Sequence, residues 1–228
     1  MFPPVEEADE DGLLCYGGDL AVETLIEAYS KGIFPWPHEG CPLLWFAPPQ
    51  RGILFVDEFY LSRRAMRELR KSRFEFRIDS DFAGVMRGCA GCREYSLGTW
   101  VNDEIIDAYG RLHQLGIAHS VETYLDNKLV GGLYGVSWGN YFCGESMFHR
   151  VENASKAALA FLVEHCQSRG AGWIDCQLQN PFFERLGARE IPRDEFLIML
   201  DTAMNRQDAK NAKNRGEKEK GNHSSLFP

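Results

Sequence analysis

A strand–helix–strand pattern in the C-terminal half of the chain constrains the fold more than any other feature. Residues 141–145 and 172–178 are short, mostly apolar runs that predict strands, and residues 153–168 between them carry the periodicity of one helix. A strand, a helix and a second strand form a crossover unit, whose strands normally lie parallel in one sheet. The pattern therefore predicts a sheet with a parallel pair of strands.

Polar side chains interrupt both predicted strands. Glu145 lies near the end of the first strand. Asp175 and Gln177 lie on the second, where a spacing of two places them on the same face. A carboxylate inside an apolar run is unfavourable unless it is paired or has a function. If the two strands are neighbours, the three side chains converge, which makes them a candidate site.

The remaining elements predict an α+β protein. Residues 1–56 suggest a small N-terminal α/β domain that opens with a glycine-punctuated turn over residues 12–20. Residues 57–205 contain a basic helix, a β-hairpin and the crossover unit. This order is similar to the core of the GCN5-related acetyltransferases (a GNAT-like fold), in which two parallel strands diverge and the acyl donor enters the gap. Residues 206–228 are polar and repetitive, so we expect a disordered charged tail.

The composition contains no sign of export or of a membrane span. The apolar runs are far shorter than the roughly 20 residues that cross a bilayer. The first residues lack a basic segment followed by an apolar one, so they do not predict a signal peptide. Seven scattered cysteines are then most simply reduced thiols. We therefore expect a cytoplasmic protein without a membrane partner, and we expect it to be a monomer.

The net charge of −8 argues against indiscriminate nucleic-acid binding, but the charge is unevenly distributed. Residues 63–77 carry seven basic and two acidic side chains. One interpretation is a solvated helix face, and the charge pattern alone favours it. The other is a patch that contacts phosphate groups.

Several other patterns have simple structural interpretations. Cys89-Ala90-Gly91-Cys92 lacks the second pair of ligands that a structural zinc site needs. Cys143 and Cys176 lack a base at a spacing that indicates a catalytic thiol, so we interpret both as packing residues. The turn before the crossover helix has no glycine, and Glu152 there would repel the pyrophosphate of coenzyme A. The core thus favours acyl transfer without coenzyme A, and we expect no metal and no cofactor.

Long and unusual strings of residues resemble the leucyl/phenylalanyl-tRNA–protein transferase family. The resemblance extends from near residue 2 to near residue 200. The strings that carry it include Gly17-Gly18-Asp19-Leu20, Gly32-Ile33-Phe34-Pro35-Trp36, Gly98-Thr99-Trp100, His119-Ser120-Val121-Glu122, Gly131-Gly132-Leu133-Tyr134-Gly135-Val136, Phe142-Cys143-Gly144-Glu145-Ser146-Met147-Phe148, Asn153-Ala154-Ser155-Lys156 and Ile174-Asp175-Cys176-Gln177. Residues 46–51 are only a variant of the tryptophan-rich segment of the family.

The resemblance implies an aminoacyltransferase. Such enzymes take Leu or Phe, and also Met, from aminoacyl-tRNA. They attach it by a peptide bond to a protein that begins with Arg or Lys, which marks that protein for degradation under the N-end rule. The donor is an activated ester, so the reaction requires neither ATP nor a metal. The implied partners are charged tRNA and proteins with a basic N-terminal residue.

The resemblance also implies catalytic roles. Asp175 and Gln177 would be the reaction-centre pair, in which Gln177 holds the acceptor amine and Asp175 polarises it or moves its proton. Glu145 would attract the positive charge of the acceptor or orient the aminoacyl end of the donor. The sequence does not separate these two roles of Glu145.

The remaining implied residues would bind the donor. The resemblance implies that five residues, which would be core residues in any fold, line an apolar pocket for the donor side chain: Leu133, Phe142, Gly144, Leu162 and Ile174. Two tryptophans would stack on the 3′-adenosine of the tRNA: Trp36 and Trp100. Five cations would hold tRNA phosphates: Arg63, Arg64, Arg67, Arg70 and Lys71.

Two other functions stay open at this point. A non-catalytic binder of charged tRNA or basic protein N-termini would use the same residues and form no product. A coenzyme A-dependent acetyltransferase is disfavoured by the glycine-free turn and would be revived by binding of acetyl-coenzyme A.

Overall fold

The computed structural model describes residues 1–38, 40–91, 101–216 and 226–227. The helices over these ranges are α1 (Val22–Ser30), α2 (Arg63–Lys71), α3 (Phe82–Ala90), α4 (Asp103–Gln114), α5 (Ala154–Ser168), α6 (Pro181–Glu184) and α7 (Arg193–Gly216). The strands are β1 (Leu13–Tyr16), β2 (Phe34–Pro35), β3 (Leu44–Phe46), β4 (Gln50–Phe55), β5 (Glu75–Ile78), β6 (Ala118–Leu125), β7 (Lys128–Trp138), β8 (Tyr141–His149), β9 (Trp173–Gln177) and β10 (Arg189–Pro192). Within the described ranges, no helix combines the length and the apolar character needed to cross a membrane.

Two helices begin at polar side chains that cap them. Ser62 Oγ accepts a hydrogen bond from the N–H of Ala65 at the start of α2. Asn102 Oδ1 accepts one from the N–H of Ile105 at the start of α4, at 2.9 Å. Both bonds satisfy backbone donors that have no partner inside the helix.

The larger sheet has seven strands in the order β10-β4-β9-β8-β7-β6-β5. Each pair of neighbours is antiparallel except β8 and β9, which are parallel and are joined by α5. The predicted crossover unit is therefore confirmed. β8 and β9 share one registered pair, Cys143 and Asp175, so the two strands diverge beyond it. The divergence lies at the two strand positions where polar side chains were predicted to meet.

Residues on the two faces of the larger sheet belong to two separate apolar cores. Leu133 and Phe142 pack in a core with residues of α5. Their sequence neighbours Tyr134 and Cys143 pack in a second core with residues of α1, α3 and α4. Successive strand residues point to opposite faces, so this alternation places α5 on one side of the sheet and the other three helices on the opposite side.

The N-terminal residues form a second, three-stranded sheet in the order β1-β3-β2, and α1 packs with it. β1 replaces part of the turn predicted over residues 12–20, since residues 13–16 pair with β3. The mixed α+β class is confirmed. β4 lies inside the predicted N-terminal domain of residues 1–56, yet it pairs with β9 and β10 of the larger sheet.

Part of the tail predicted to be disordered over residues 206–228 is described by the structure, whereas residues 217–225 and 228 lie outside the described residues. α7 extends to Gly216. Leu226 and Phe227 are buried in the apolar core on the α5 side of the sheet. The average polarity of the tail concealed two adjacent large apolar side chains, which gain free energy when they leave water.

Candidate active site

The three polar residues predicted from the crossover unit lie together at the divergence of β8 and β9. Gln177 Nε2 donates a hydrogen bond to Glu145 Oε1 at 2.9 Å. The backbone N–H of Gln177 donates to Asp175 Oδ1 at 2.8 Å. Gln177 thus hydrogen-bonds to both carboxylates. The three residues lie close together, as the crossover unit predicted.

Asp175 forms a buried ion pair with Arg51 of β4. Arg51 Nε donates to Asp175 Oδ1 at 2.8 Å and Arg51 Nη2 donates to Asp175 Oδ2 at 2.7 Å. The side chains are 1% and 0% exposed. Burial opposes the charge of the guanidinium, but the neighbouring Asp175 carboxylate outweighs it and raises the pKa of Arg51. A two-bond pair of this kind fixes the orientation of both groups as well as their separation.

Two aromatic rings and a backbone carbonyl also contact the guanidinium of Arg51. It lies over the rings of Phe34 and Phe196, at 4.8 and 4.5 Å from the ring centroids. Arg51 Nη1 donates to the carbonyl of Gly32 at 3.0 Å. Because β2 and α7 supply these rings, the ion pair connects the N-terminal residues, the larger sheet and the last helix.

Both oxygens of Asp175 are fully used inside the protein. Oδ1 accepts from Arg51 and from the backbone of Gln177, while Oδ2 accepts from Arg51 and from the Tyr141 hydroxyl at 2.8 Å. A carboxylate offers about four acceptor positions, and four donors occupy them here. The geometry therefore makes Asp175 an anchor for its neighbours.

Gln177 adopts a left-handed backbone conformation with φ of 62°. Residues other than glycine reach this region at a conformational cost of about 1–3 kcal/mol. The hydrogen bond from its N–H to Asp175 holds the turn. The turn in β9 aims the Gln177 side chain at Glu145 across the strand divergence, where the hydrogen bond between them forms.

Glu145 is buried among donors that reach it from three directions. The hydroxyls of Tyr29 and Tyr109 lie 2.7 and 3.2 Å from its two oxygens and also contact each other. Two hydroxyl protons cannot serve all three contacts at once, so the third needs a proton on the Glu145 carboxyl group. The thiol of Cys143 lies 3.4 Å from Oε1. Burial raises the pKa of Glu145 to about 7, although its hydrogen bonds act in the opposite direction. Near neutral pH this carboxyl group is therefore poised to gain or lose a proton.

The raised pKa of Glu145 predicts a specific pH dependence of stability. In the unfolded chain the carboxyl group ionises at its ordinary pKa, whereas in the folded protein it ionises only near pH 7. The unfolding free energy should therefore fall between about pH 4.5 and pH 7, by roughly 3 kcal/mol in total. Glu145→Gln should remove this decline, which urea unfolding of both proteins from about pH 5 to pH 9 measures. Equal pH dependence in the two proteins would contradict the assignment.

The predicted donor-pocket residues lie on the α5 side of the divergence. Four of them pack in one apolar core: Leu133, Phe142, Leu162 and Ile174. Gly144 is half-buried between Phe142 and Glu145. A Cβ atom on Gly135 would lie 2.6 Å from Phe142 Cζ, so only glycine at that position lets the Phe142 ring lie against β7. These residues lie on the opposite face of the sheet from Tyr29 and Tyr109, which contact Glu145.

The predicted tRNA contacts lie on separate parts of the molecule. Trp36 follows β2 and is half-buried against Phe46 and His38. The five predicted phosphate-binding side chains on α2 are exposed, and Arg64 pairs with Glu68 at 2.8 Å. Trp100 lies outside the described residues.

The buried thiols behave as the packing interpretation requires. Burial raises the pKa of Cys143 and of Cys176 well above the ordinary range of a thiol. Neither thiol is therefore ionised at neutral pH, and a thiol that stays protonated is a weak nucleophile. Within the described part of the chain, no cluster of three or more histidine, cysteine or acidic side chains is arranged to hold a metal ion.

Sequence reasoning missed the residues that hold the two carboxylates. Arg51 and Tyr141 hold Asp175, and Tyr29 and Tyr109 hold Glu145. Tyr29 and Tyr109 fit the apolar faces of their helices, so no local pattern indicates that their hydroxyls contact a carboxyl group. The available sequence signal for a buried, paired Arg51 was its position directly before the apolar run of β4.

Comparisons with known proteins agree on one family. The family model for leucyl/phenylalanyl-tRNA–protein transferase matches residues 53–201, and the model for the N-terminal domain of that family matches residues 18–49. A relative of that name from Nitrosospira multiformis is 49% identical over 220 residues, which cover 96% of this chain and 92% of the relative. A relative from Pseudomonas fluorescens is 49% identical over 201 residues, which cover 87% and 89%.

The comparison with solved structures concerns the fold alone. The crystal structure of FemX matches with a TM-score of 0.50 at 11% identity, over 75% of this chain and 66% of that one. At this identity the match indicates a common arrangement of helices and strands.

Proposed function

Because the chain belongs to the leucyl/phenylalanyl-tRNA–protein transferase family, we propose that Glu145, Gln177 and Asp175 form its transfer site. The chain is an aminoacyltransferase that moves Leu or Phe from aminoacyl-tRNA to the N-terminus of a protein. The observation that carries the assignment of the site is the Gln177–Glu145 hydrogen bond, because it brings the two side chains together at the divergence of β8 and β9.

The reaction joins the α-amine nitrogen of the acceptor to the ester carbonyl carbon of the donor. The carbon–oxygen bond to the tRNA ribose then breaks, and the ribose oxygen leaves as a hydroxyl with the proton that the nitrogen loses when it becomes an amide. The α-amine has a pKa of about 8, so it must lose one proton before it attacks. Glu145, whose pKa is about 7, is closely matched to accept that proton.

Gln177 orients the amine. Its Nε2 is engaged by Glu145, so its amide oxygen is the group that can accept a hydrogen bond from the acceptor N–H. Asp175 acts as a positioning residue, because it is ion-paired with Arg51 and holds the Gln177 backbone. This narrows the role expected from the sequence, in which Asp175 would polarise the amine or move its proton. Glu145 is also contacted by four hydrogen-bonding groups, but it has no cationic partner among the described residues.

The apolar residues near Gly144 select the donor side chain. Apolar pockets distinguish one methylene by only about 1–3 kcal/mol. A pocket that includes Leu133, Phe142 and Ile174 should therefore accept leucine, phenylalanine and methionine with modest preferences. The buried carboxylate of Glu145 lies where it favours a positively charged acceptor, which supports Arg or Lys as the first residue of the target protein.

Trp36 and the exposed cations of α2 are the proposed contacts to tRNA. Trp36 would stack on the terminal adenosine, as would Trp100, and Arg63, Arg67 and Arg70 would contact phosphates. We further propose that residues 57–205 form a GNAT-like domain preceded by an N-terminal domain, and that the protein is a cytoplasmic monomer. The proposed transfer reaction uses no cofactor.

The proposed phosphate contacts predict a change in salt dependence. Replacing Arg63, Arg67 and Arg70 together by glutamine should weaken tRNA binding. It should also lower the slope of log K against log salt by about 0.7–0.9 for each lost phosphate contact. Filter binding of charged tRNA across a salt series measures both effects. Arg189→Gln is the control, since Arg189 is 50% exposed, pairs with Glu58 and lies on β10, outside the basic segment of residues 63–77. An unchanged slope would show that α2 does not contact the tRNA.

A transfer assay tests the function. Purified protein is mixed with tRNA that carries labelled leucine, phenylalanine or methionine, and with peptides that begin with Arg, Lys or Ala. We expect label in the Arg and Lys peptides from all three donors and little in the Ala peptide. Binding of both substrates without product would favour the non-catalytic alternative.

A further inference from the structure

The apolar pair Leu226-Phe227 is the one part of the described C-terminal region that enters the α5-side core. Phe227 is 0% exposed, and its ring stacks on His119 of β6 at 4.3 Å between centroids. The rings of Phe142 and His165 lie at 5.4 and 5.2 Å from it. His165 Nε2 hydrogen-bonds to the carbonyl of Leu226 at 2.6 Å, which ties this segment to α5.

These contacts place Phe227 behind the proposed donor pocket. Phe142, Gly144 and Gly135 lie on the same face of the sheet, and His119 pairs with Gly135 on the neighbouring strand. The Phe142 ring lies over Gly135, which has no side chain to support it. Phe227 occupies the space between His119 and the Phe142 ring. It therefore supports Phe142 on the side toward β6, whereas β9 with Ile174 lies on the other side of β8.

We propose that Leu226-Phe227 forms the back wall of the donor pocket and, by holding the Phe142 ring, sets the size of the side chain that the pocket accepts. This inference rests on the proposed function, because it assigns a role within the proposed donor site. Phe227 is a positioning residue in this account, since it acts on the donor through Phe142. Protein cores are packed without large voids, so a change at Phe227 is transmitted to Phe142.

The size of Phe227 should then control donor preference in two directions. Phe227→Ala lets the Phe142 ring recede and enlarges the pocket, so binding of a phenylalanyl donor should improve relative to a leucyl donor. Phe227→Trp pushes the ring toward the pocket, so the same ratio should fall. A methylene-sized change in an apolar pocket alters discrimination by about tenfold or more, and we expect shifts of about that size in opposite directions.

The experiment measures binding separately from transfer. Calorimetry gives the Kd of non-hydrolysable amide analogues of leucyl- and phenylalanyl-adenosine for the wild-type protein, Phe227→Ala, Phe227→Leu and Phe227→Trp. The transfer assay is run in parallel on the same proteins. Phe76→Ala is the control for general loss of an aromatic contact, because Phe76 stacks on Phe161 at 5.0 Å on the edge strand β5. Phe227→Leu keeps the test valid if the alanine variant does not fold.

Opposite shifts of the phenylalanyl-to-leucyl ratio in the alanine and tryptophan variants, with no shift in Phe76→Ala, support the inference. A ratio that changes less than about twofold in folded variants would show that the segment is only structural. Equal tightening for both analogues in Phe227→Ala would show that Phe227 blocks the pocket, and it would also overturn the inference. If wild type binds neither analogue, the donor pocket itself fails. If the binding ratios shift but neither the wild type nor any variant transfers an amino acid, the proposed function is wrong, whereas the role of Leu226-Phe227 in the donor pocket is supported.

Discussion

Replacing Gln177 by glycine should abolish most transfer activity while leaving the protein folded. The substitution removes the amide that positions the acceptor amine and that bonds to Glu145. Displacement of a reacting group by about 1 Å can slow a reaction about 100-fold, and we expect at least that loss in the single-turnover rate.

Stability should respond very differently to Gln177→Gly. Glycine adopts the left-handed conformation at φ of 62° without the steric strain that Gln177 bears. This gain offsets the lost hydrogen bond and the greater freedom of the unfolded chain, so the unfolding free energy should change by less than about 2 kcal/mol. Thermal and urea unfolding measure this. A large loss of stability would mean that the Gln177 side chain is chiefly structural.

Asn127→Gly is a matched control for this variant. Asn127 has φ of 60° in the turn between β6 and β7, so glycine relieves the same kind of strain there. Asn127 is exposed and makes no hydrogen bond to the proposed site. Its variant should keep full transfer activity, which separates the effect of the backbone from that of the Gln177 amide.

Replacing Arg51 by methionine should lower the unfolding free energy by about 3–5 kcal/mol. The variant keeps much of the apolar stem, removes the guanidinium that lies over the rings of Phe34 and Phe196, and leaves Asp175 buried without its charged partner. An uncompensated charge in the interior is far more costly than the loss of a surface pair. Transfer should also fall, because Asp175 would no longer hold the Gln177 turn in place.

Two further variants test whether the unpaired charge is the cause. Combining Arg51→Met with Asp175→Asn removes both charges and should recover much of the lost stability. Arg189→Met is the control, because Arg189 also stacks on a ring and pairs with an acid, Glu58, but is 50% exposed. That variant should change stability by at most about 1 kcal/mol. If Arg51→Met were equally mild, Asp175 would not depend on Arg51.

The sequence predicted the centre of the fold because its signals are local. Helical periodicity over residues 153–168 and two apolar runs beside it define a crossover unit, and that unit forces its strands into one sheet. Once β8 and β9 are neighbours, Glu145 and Gln177 must approach each other. The contact between Glu145 and Gln177 could therefore be predicted although the two residues are far apart in the sequence.

The partners of the two carboxylates could not be predicted in this way. Arg51 and Asp175 are 124 positions apart, and Tyr29 and Glu145 are 116 apart. Their contacts depend on how the N-terminal residues pack on the larger sheet, which no short-range pattern encodes. Tyrosine adds to the problem, because its ring fits an inward helix face while its hydroxyl still needs a polar partner.

The left-handed turn at Gln177 and the burial of Phe227 were hidden for different reasons. Glutamine has no preference for positive φ, so Asp175 and the surrounding sheet must impose that conformation. Leu226 and Phe227 are two apolar residues at the end of a polar segment. Composition averaged over that segment predicts disorder, whereas burial depends on whether a complementary site exists elsewhere in the fold.

Single-turnover transfer of labelled leucine from tRNA to a peptide that begins with arginine tests the central claim most directly. Wild type, Glu145→Gln and Gln177→Gly are compared at saturating substrate, with the product identified by sequencing its new N-terminus. We predict leucine in peptide linkage from the wild type and rates at least about 100-fold lower in both variants. Full transfer by either variant, or a wild type that binds both substrates and forms no peptide bond, would contradict the account.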